Sequence, residues 1–183
     1  MNRLAVFLLP FFIVYFLISC KSESNKYDSM VQKGLSSGVQ ADSLFLGYHF
    51  GMSVRDFHSS SLEMNRRGEI TGYTKVIYRL ESLDYPAIME FYPTFKNDAI
   101  IRMPVTVSYE GWAPWNEHLQ SDKLVESLLE YYSDAYDAEF SLVRVPELDR
   151  LAYINIHANR EIRIYEISHS EVLVDFIDLS VVQ

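Results

Sequence analysis

The chain is predicted to fold as an α+β domain, an antiparallel β-sheet with about two helices packed on one face. Three observations predict it. Apolar residues recur at helical spacing in only two segments, one after Ser53 and one from Leu124 to Tyr136. The remaining apolar runs alternate with a period of two. Asn, Asp, Gly and Pro punctuate those runs at short intervals. Each helix precedes a run of strands, so the order reads as α then β-meander, twice. A repeated α-β-β-β unit is one explanation of that order.

The first helix opens at Gly51-Met52-Ser53. Ser53 suits the N-cap, Asp56 stands three residues on as in a variant capping box, and Gly68 suits a left-handed stop. Val54, Phe57, Ser61 and Met64 fall on one face. Three strands are expected next. In the first, Ile70, Thr74, Val76, Tyr78 and Leu80 alternate against Tyr73, Lys75 and Arg79, with Ile77 breaking the polarity of the outer side. The second runs from Ala87 to Phe95 and the third from Ala99 to Tyr109. They join across Lys96-Asn97-Asp98, where Asn and Asp tolerate the positive φ of a tight turn. Pro93 and Pro104 cannot donate to a ladder, which places each at an edge or a bulge.

The second helix is marked by Leu124, Val125, Leu128, Leu129, Tyr132, Ala135 and Tyr136, with Lys123, Glu126, Glu130, Ser133 and Asp134 lying largely away from them. Ser121 or Asp122 would cap it. Four more strands follow, at 140–145, 151–158, 161–168 and 171–179. Turns are expected at Asn159-Arg160 and His169-Ser170.

The N-terminus carries a different signal. After Met1-Asn2-Arg3, residues Leu4 to Ile18 hold no charge, and Pro10 interrupts them. At ~1.5 Å per residue this run is too short to cross the ~30 Å hydrocarbon core of a bilayer, and it reads as the apolar core of a signal peptide. It ends in Leu17-Ile18-Ser19-Cys20, and Cys20 is the chain's one cysteine. These four residues resemble the lipobox of bacterial lipoproteins. The resemblance implies cleavage between Ser19 and Cys20, a diacylglycerol on the Cys20 thiol and acylation of the new amine. Two or three acyl chains anchor where one would not, at ~0.8 kcal/mol per buried CH₂. Lys21 stands where Asp would favour inner-membrane retention in some Gram-negative lipoproteins, which leans toward the outer membrane, facing the periplasm or the cell surface.

This divides the chain into a signal peptide at 1–19, a lipidated flexible tether at 20–43 and one α+β domain at 44–183. The tether is inferred from Ser, Gly, Lys and Gln with few large apolar residues and no sustained period. The order of elements also resembles small periplasmic lipoprotein domains of the BamE and β-lactamase-inhibitor-protein type. Their first helix often opens as Gly51-Met52-Ser53 does, and the likeness concerns fold alone.

Composition narrows the function. Hydrophobic residues make up 49% of the 183, enough to build a core and to exclude a disordered chain. Sixteen Lys and Arg against 25 Asp and Glu give a formal charge of −9, which argues against nucleic acid as a partner. Loss of the leader would remove only Arg3 among the charged residues, so the mature body is more acidic still, and attachment would rest on acyl chains and not on a basic patch. A single cysteine excludes an intramolecular disulfide framework or a thiolate zinc cluster.

His49, His58, His118, His157 and His169 show no metal-ligand spacing, and no cofactor loop or G-x-S-x-G elbow occurs. Carboxylates such as Asp134 with Asp137 or Glu139 could pair as in a glycosidase, but any acidic chain offers such pairs. The reading is therefore a non-enzymatic, lipid-anchored envelope protein that binds another protein or is an accessory of an envelope complex, with no metal and no cofactor. A small-molecule or glycan binder is the alternative, and an envelope hydrolase is weaker. The candidate binding loop runs from Tyr109 to Trp115 and holds both tryptophans, Trp112 and Trp115. Exposed, those rings would stack on a ligand; folded back, they would cap the open end of the core.

Overall fold

The computed structural model describes residues 26–181. The signal peptide, the lipobox and Cys20 lie outside the described residues. Three helices and eight strands build an antiparallel α+β fold. Helix α1 covers residues 26–35, α2 Val54–Arg66 and α3 Ser121–Tyr136. The strands are β1 Val76–Leu80, β2 Ala87–Phe91, β3 Thr94–Lys96, β4 Ala99–Tyr109, β5 Ser141–Val145, β6 Arg150–His157, β7 Arg160–Glu166 and β8 Val172–Asp178. The sheet order is β1-β2-β4-β8-β7-β6-β5, with β3 added beside β4. Each half is thus a helix followed by a meander, and the halves join through their last strands, β4 against β8.

Local chemistry explains most boundaries. Ser53 Oγ accepts from Asp56 N at 3.1 Å and caps α2, while Asp98 Oδ1 accepts from Val54 N at 3.2 Å. The helix ends before Gly68, whose φ is 73°. Ser61, the polar member of the apolar stripe, donates to Phe57 O at 2.7 Å and pairs with the Tyr48 hydroxyl at 2.8 Å. Asn97 and Asp98 hold φ values of 51° and 63° and make the β3–β4 turn.

Several expectations are corrected. Residues 26–35, assigned by sequence to the tether, form a helix. Residues 41–43 are also held, since Asn159 Oδ1 accepts from Ala41 N at 2.7 Å and Arg160 Nη1 donates to Ser43 O at 2.8 Å. The folded body therefore begins by residue 26. The strand expected from Ala87 to Phe95 breaks at Tyr92-Pro93.

Pro104 sits inside central strand β4, opposite Asp175 of β8. Its other side is free of ladder pairing because β2 pairs with β4 only as far as Val105 and β3 pairs with it only as far as Arg102, so a residue without an N–H fits. Helix α3 has Gln120 at its N-cap with no side-chain bond, and Ser121 instead donates to Glu166 Oε2 at 2.7 Å. The β6–β7 turn is Ala158-Asn159, one residue earlier than expected, with Ala158 at φ 57°.

The main core lies between the sheet and helices α2 and α3. Phe57, Met64, Leu124, Leu128 and Tyr132 meet Met89, Phe91, Met103, Val105, Ile164 and Phe176 there. Alternation sends the other sheet face away from these helices, and α1 covers its β5–β6–β7 part. Tyr27, with Met30 and Val31, packs on Val143, Val145, Ala152, Ile154 and Tyr165. One helix thus packs on the face opposite the two the sequence predicted.

Two substitutions test this core. Leu128 is fully buried, so Leu128→Asp places an unpaired charge in it and should abolish the cooperative thermal transition followed by circular dichroism. Tyr132 is buried with no partner for its hydroxyl among the described residues. Tyr132→Phe should hold or raise the melting temperature, by the equivalent of about 1 kcal/mol, because an unmet desolvation cost is removed.

Candidate functional site

The loop after β4 is where the sequence placed its binding residues. Tyr109 ends β4 with its ring buried. Its hydroxyl pairs with Ser127 Oγ at 2.8 Å, and the ring meets Tyr85 edge-on at 5.9 Å. Burial pushes the Tyr109 hydroxyl above its ordinary pKa. Trp112 is half-buried against the main core, and its Nε1 is enclosed without a partner among the described residues. Trp115 is 84% exposed. Gln120 Nε2 donates to Asn116 O at 3.1 Å and bridges the loop to the start of α3. The three rings therefore do not form one platform: two cap the core and Trp115 alone faces solvent.

The five histidines are all exposed. His58 Nε2 lies 3.4 Å from the Tyr92 hydroxyl, and His49 Nδ1 lies 2.8 Å from Phe50 O. Among the described residues no group of three or more His, Cys, Asp or Glu is arranged to hold a metal ion, and no helix is long and apolar enough to cross a membrane.

The site sequence reasoning missed lies under α1. Glu161 and Arg163 alternate with Ile162 and Ile164 along β7, a pattern that reads as a solvated face. In the fold both charges are buried. Arg163 Nε donates to Glu161 Oε1 at 2.5 Å and its Nη2 to Oε2 at 3.0 Å; the same Nη2 donates to the Tyr27 hydroxyl at 2.6 Å, which donates to Glu161 Oε2 at 3.0 Å. Glu147 stands 3.8 Å from Arg163 Nη1 at the rim.

Desolvation raises the pKa of Tyr27, which keeps the hydroxyl a donor, and it pushes the Glu161 carboxyl up against the pull of Arg163 and Tyr27. Beside this network a cleft of about 350 Å³ opens between α1 and β8, lined by Asp28, Gln32, Glu147, Arg163, Ile177 and Leu179. Next along the same sheet face, buried Asp175 accepts from Arg102 Nη2 at 2.5 Å. No sequence signal pointed to Tyr27, because the few apolar residues of 26–35 do not announce a helix.

A second recess, of about 390 Å³, lies on the α2/α3 face between α3 and the β5–β6 edge. Val125, Tyr153 and Ile164 line it, with Leu142 and Leu151 at 48% and 50% exposure. Its lining is mixed, with these apolar side chains beside Arg150 and Glu166.

No family model, curated protein or solved structure matches the chain. The chemistry of the described residues is that of paired and buried charges joining elements, and of an uncovered recess with apolar Leu142, Leu151 and Tyr153 in its lining.

Removal of Arg163 tests the buried network. Arg163→Met leaves Glu161 without its cation and should cost about 3–5 kcal/mol at neutral pH in a denaturant titration. A carboxyl whose folded pKa lies above its unfolded value gives stability that is full below the unfolded pKa and is lost as pH rises through the folded one. The variant raises Glu161 further, so its deficit against wild type should shrink as pH falls toward the ordinary carboxylate value. A deficit that is constant across this window would contradict the assignment.

Proposed function

We propose that this is a lipid-anchored envelope protein that works by binding another protein. The observation that carries the reading is Leu17-Ile18-Ser19-Cys20, with the chain's one cysteine closing an uncharged leader. The anchor is a diacylglycerol in thioether linkage to Cys20, followed by cleavage behind Ser19 and acylation of the new amine. The acidic body then stands beside the bilayer without needing a basic patch to hold it.

The recess between α3 and β6 supports the binding part of the reading. Exposed Leu142 and Leu151 flank half-buried Tyr153, and apolar surface of this kind favours a partner protein that inserts apolar side chains. A glycan or small-molecule reading rests on Trp115, which is open to stacking.

Cys20→Ala should abolish incorporation of labelled fatty acid and leave the precursor uncleaved; persistent labelling would overturn the anchor. A photo-crosslinking residue at Leu151 should capture an envelope protein in intact cells, and Leu142→Glu should remove that adduct while the far-ultraviolet circular dichroism stays unchanged. If the adduct survives Leu142→Glu, the recess is not the binding surface. A shift of Trp115 emission on adding cell-wall fragments, lost in Trp115→Ala, would favour the glycan reading instead.

A further inference from the structure

The docking of α1 fixes more than stability. Its first turn is held by the Tyr27–Glu161–Arg163 bonds. Its last turn is pressed so close to the β6–β7 turn that a Cβ on Gly34 would lie 2.6 Å from both Ala158 O and Ile156 Cγ2. Helix α1 is therefore pinned to one sheet face at both ends. Only residues 21–25 separate Cys20 from it. Whatever their conformation, the chain from Cys20 to Lys26 can span no more than about 20 Å.

The fold turns that length into an orientation. Helices α1 and α3 lie on opposite faces of the sheet, each about 10 Å from it, so their axes are about 20 Å apart and the outer surface of α3 lies about 25 Å from α1. If α3 rested on the headgroups, the start of α1 would be lifted beyond the reach of the acylated cysteine. From the anchoring proposed above, on which this step rests, we infer that the α1-bearing face of the sheet is turned toward the lipid headgroups. Helices α2 and α3, with the Leu142–Leu151 recess, then look away from the bilayer. The occupant of the α1 side is the membrane surface itself, held there by tether length and not by charge.

The test uses the full-length lipidated protein in vesicles of phosphatidylethanolamine and phosphatidylglycerol carrying a headgroup-linked acceptor dye. Acylation blocks Cys20, so a donor dye can be placed on Lys33→Cys of α1 or on Asp134→Cys of α3, both exposed positions. Energy transfer should be several-fold greater from residue 33 than from residue 134. A flexible Gly/Ser insert of about fifteen residues before Lys26, adding roughly 20 Å of reach, should erase the difference.

Equal or reversed transfer in vesicle-bound protein would overturn the orientation while leaving the anchor intact. A difference that survives the insert would overturn the tether as its cause. Failure of the unlabelled protein to float with the vesicles would instead defeat the anchor, and the orientation with it.

Discussion

The pairing of Glu161 with Arg163 beneath α1 is the constraint on which the rest of the architecture depends. Two opposite charges two residues apart on one strand face would normally mark that face as wet. Here Tyr27 closes the pair by accepting from one partner and donating to the other. The buried carboxylate and guanidinium need that coverage to be dry, and α1 needs the hydrogen bonds because a ten-residue helix with so little apolar surface is marginal alone. Each makes the other possible. A buried ion pair is weak evidence of net stabilisation, but it is selective about geometry. We read it as specifying where α1 sits.

This mutual dependence explains what the sequence could and could not reveal. Elements whose stability is local were legible. Ser53 caps α2, Asn97-Asp98 forms the tight turn, and the Leu124–Leu128–Tyr132 stripe of α3 enters the core as its spacing requires. The third expected strand was placed with both ends correct, from Ala99 to Tyr109. Features set by distant contacts were not legible. The stretch 26–35 looks like linker because its helicity depends on a strand more than a hundred residues away. Pro104 looks like an edge marker, yet it is tolerated in a central strand because Tyr92-Pro93 interrupts the neighbour at that level. Ala158 takes a left-handed φ that Asn159 next to it would have been expected to take. Asn159 is instead occupied, bonded to Ala41 and to Asp178.

The same distinction applies to the aromatic loop. Tyr109, Trp112 and Trp115 are neighbours in sequence, and the sequence allowed either an exposed stacking surface or rings folded back to cap the core. The period of two along β4 turns Tyr109 inward, and the loop then folds Trp112 onto the core and leaves Trp115 outside. The uncovered recess at Leu142 and Leu151 could not be read in advance. These residues alternate outward from Val143 and Ala152, and on an ordinary two-layer sheet one of the two sets would face solvent. Coverage of the opposite face by α1 is what leaves both faces of β5 and β6 partly apolar.

Moving the start of the folded body from residue 44 to residue 26 changes the physical meaning of the proposed anchor. A flexible tether of more than twenty residues would sample tens of ångströms and every orientation, so lipidation would do little beyond raising local concentration. A tether of five residues, as the proposed anchor implies, would restrict the body to a thin layer, where repulsion between an acidic surface and anionic headgroups would be met directly. That repulsion decays within a Debye length of about 8 Å at physiological ionic strength. The permitted reach of about 20 Å therefore spans both the repelled zone and the screened zone above it. On the anchoring proposed above, acyl chains would hold the domain near the bilayer, screening would keep it from being pressed flat, and the fold would decide which face looks down. If the recess is the binding surface proposed above, that last step matters most, because a recess on the far side of the sheet would be presented outward at every moment and not only when a long linker happened to turn it there.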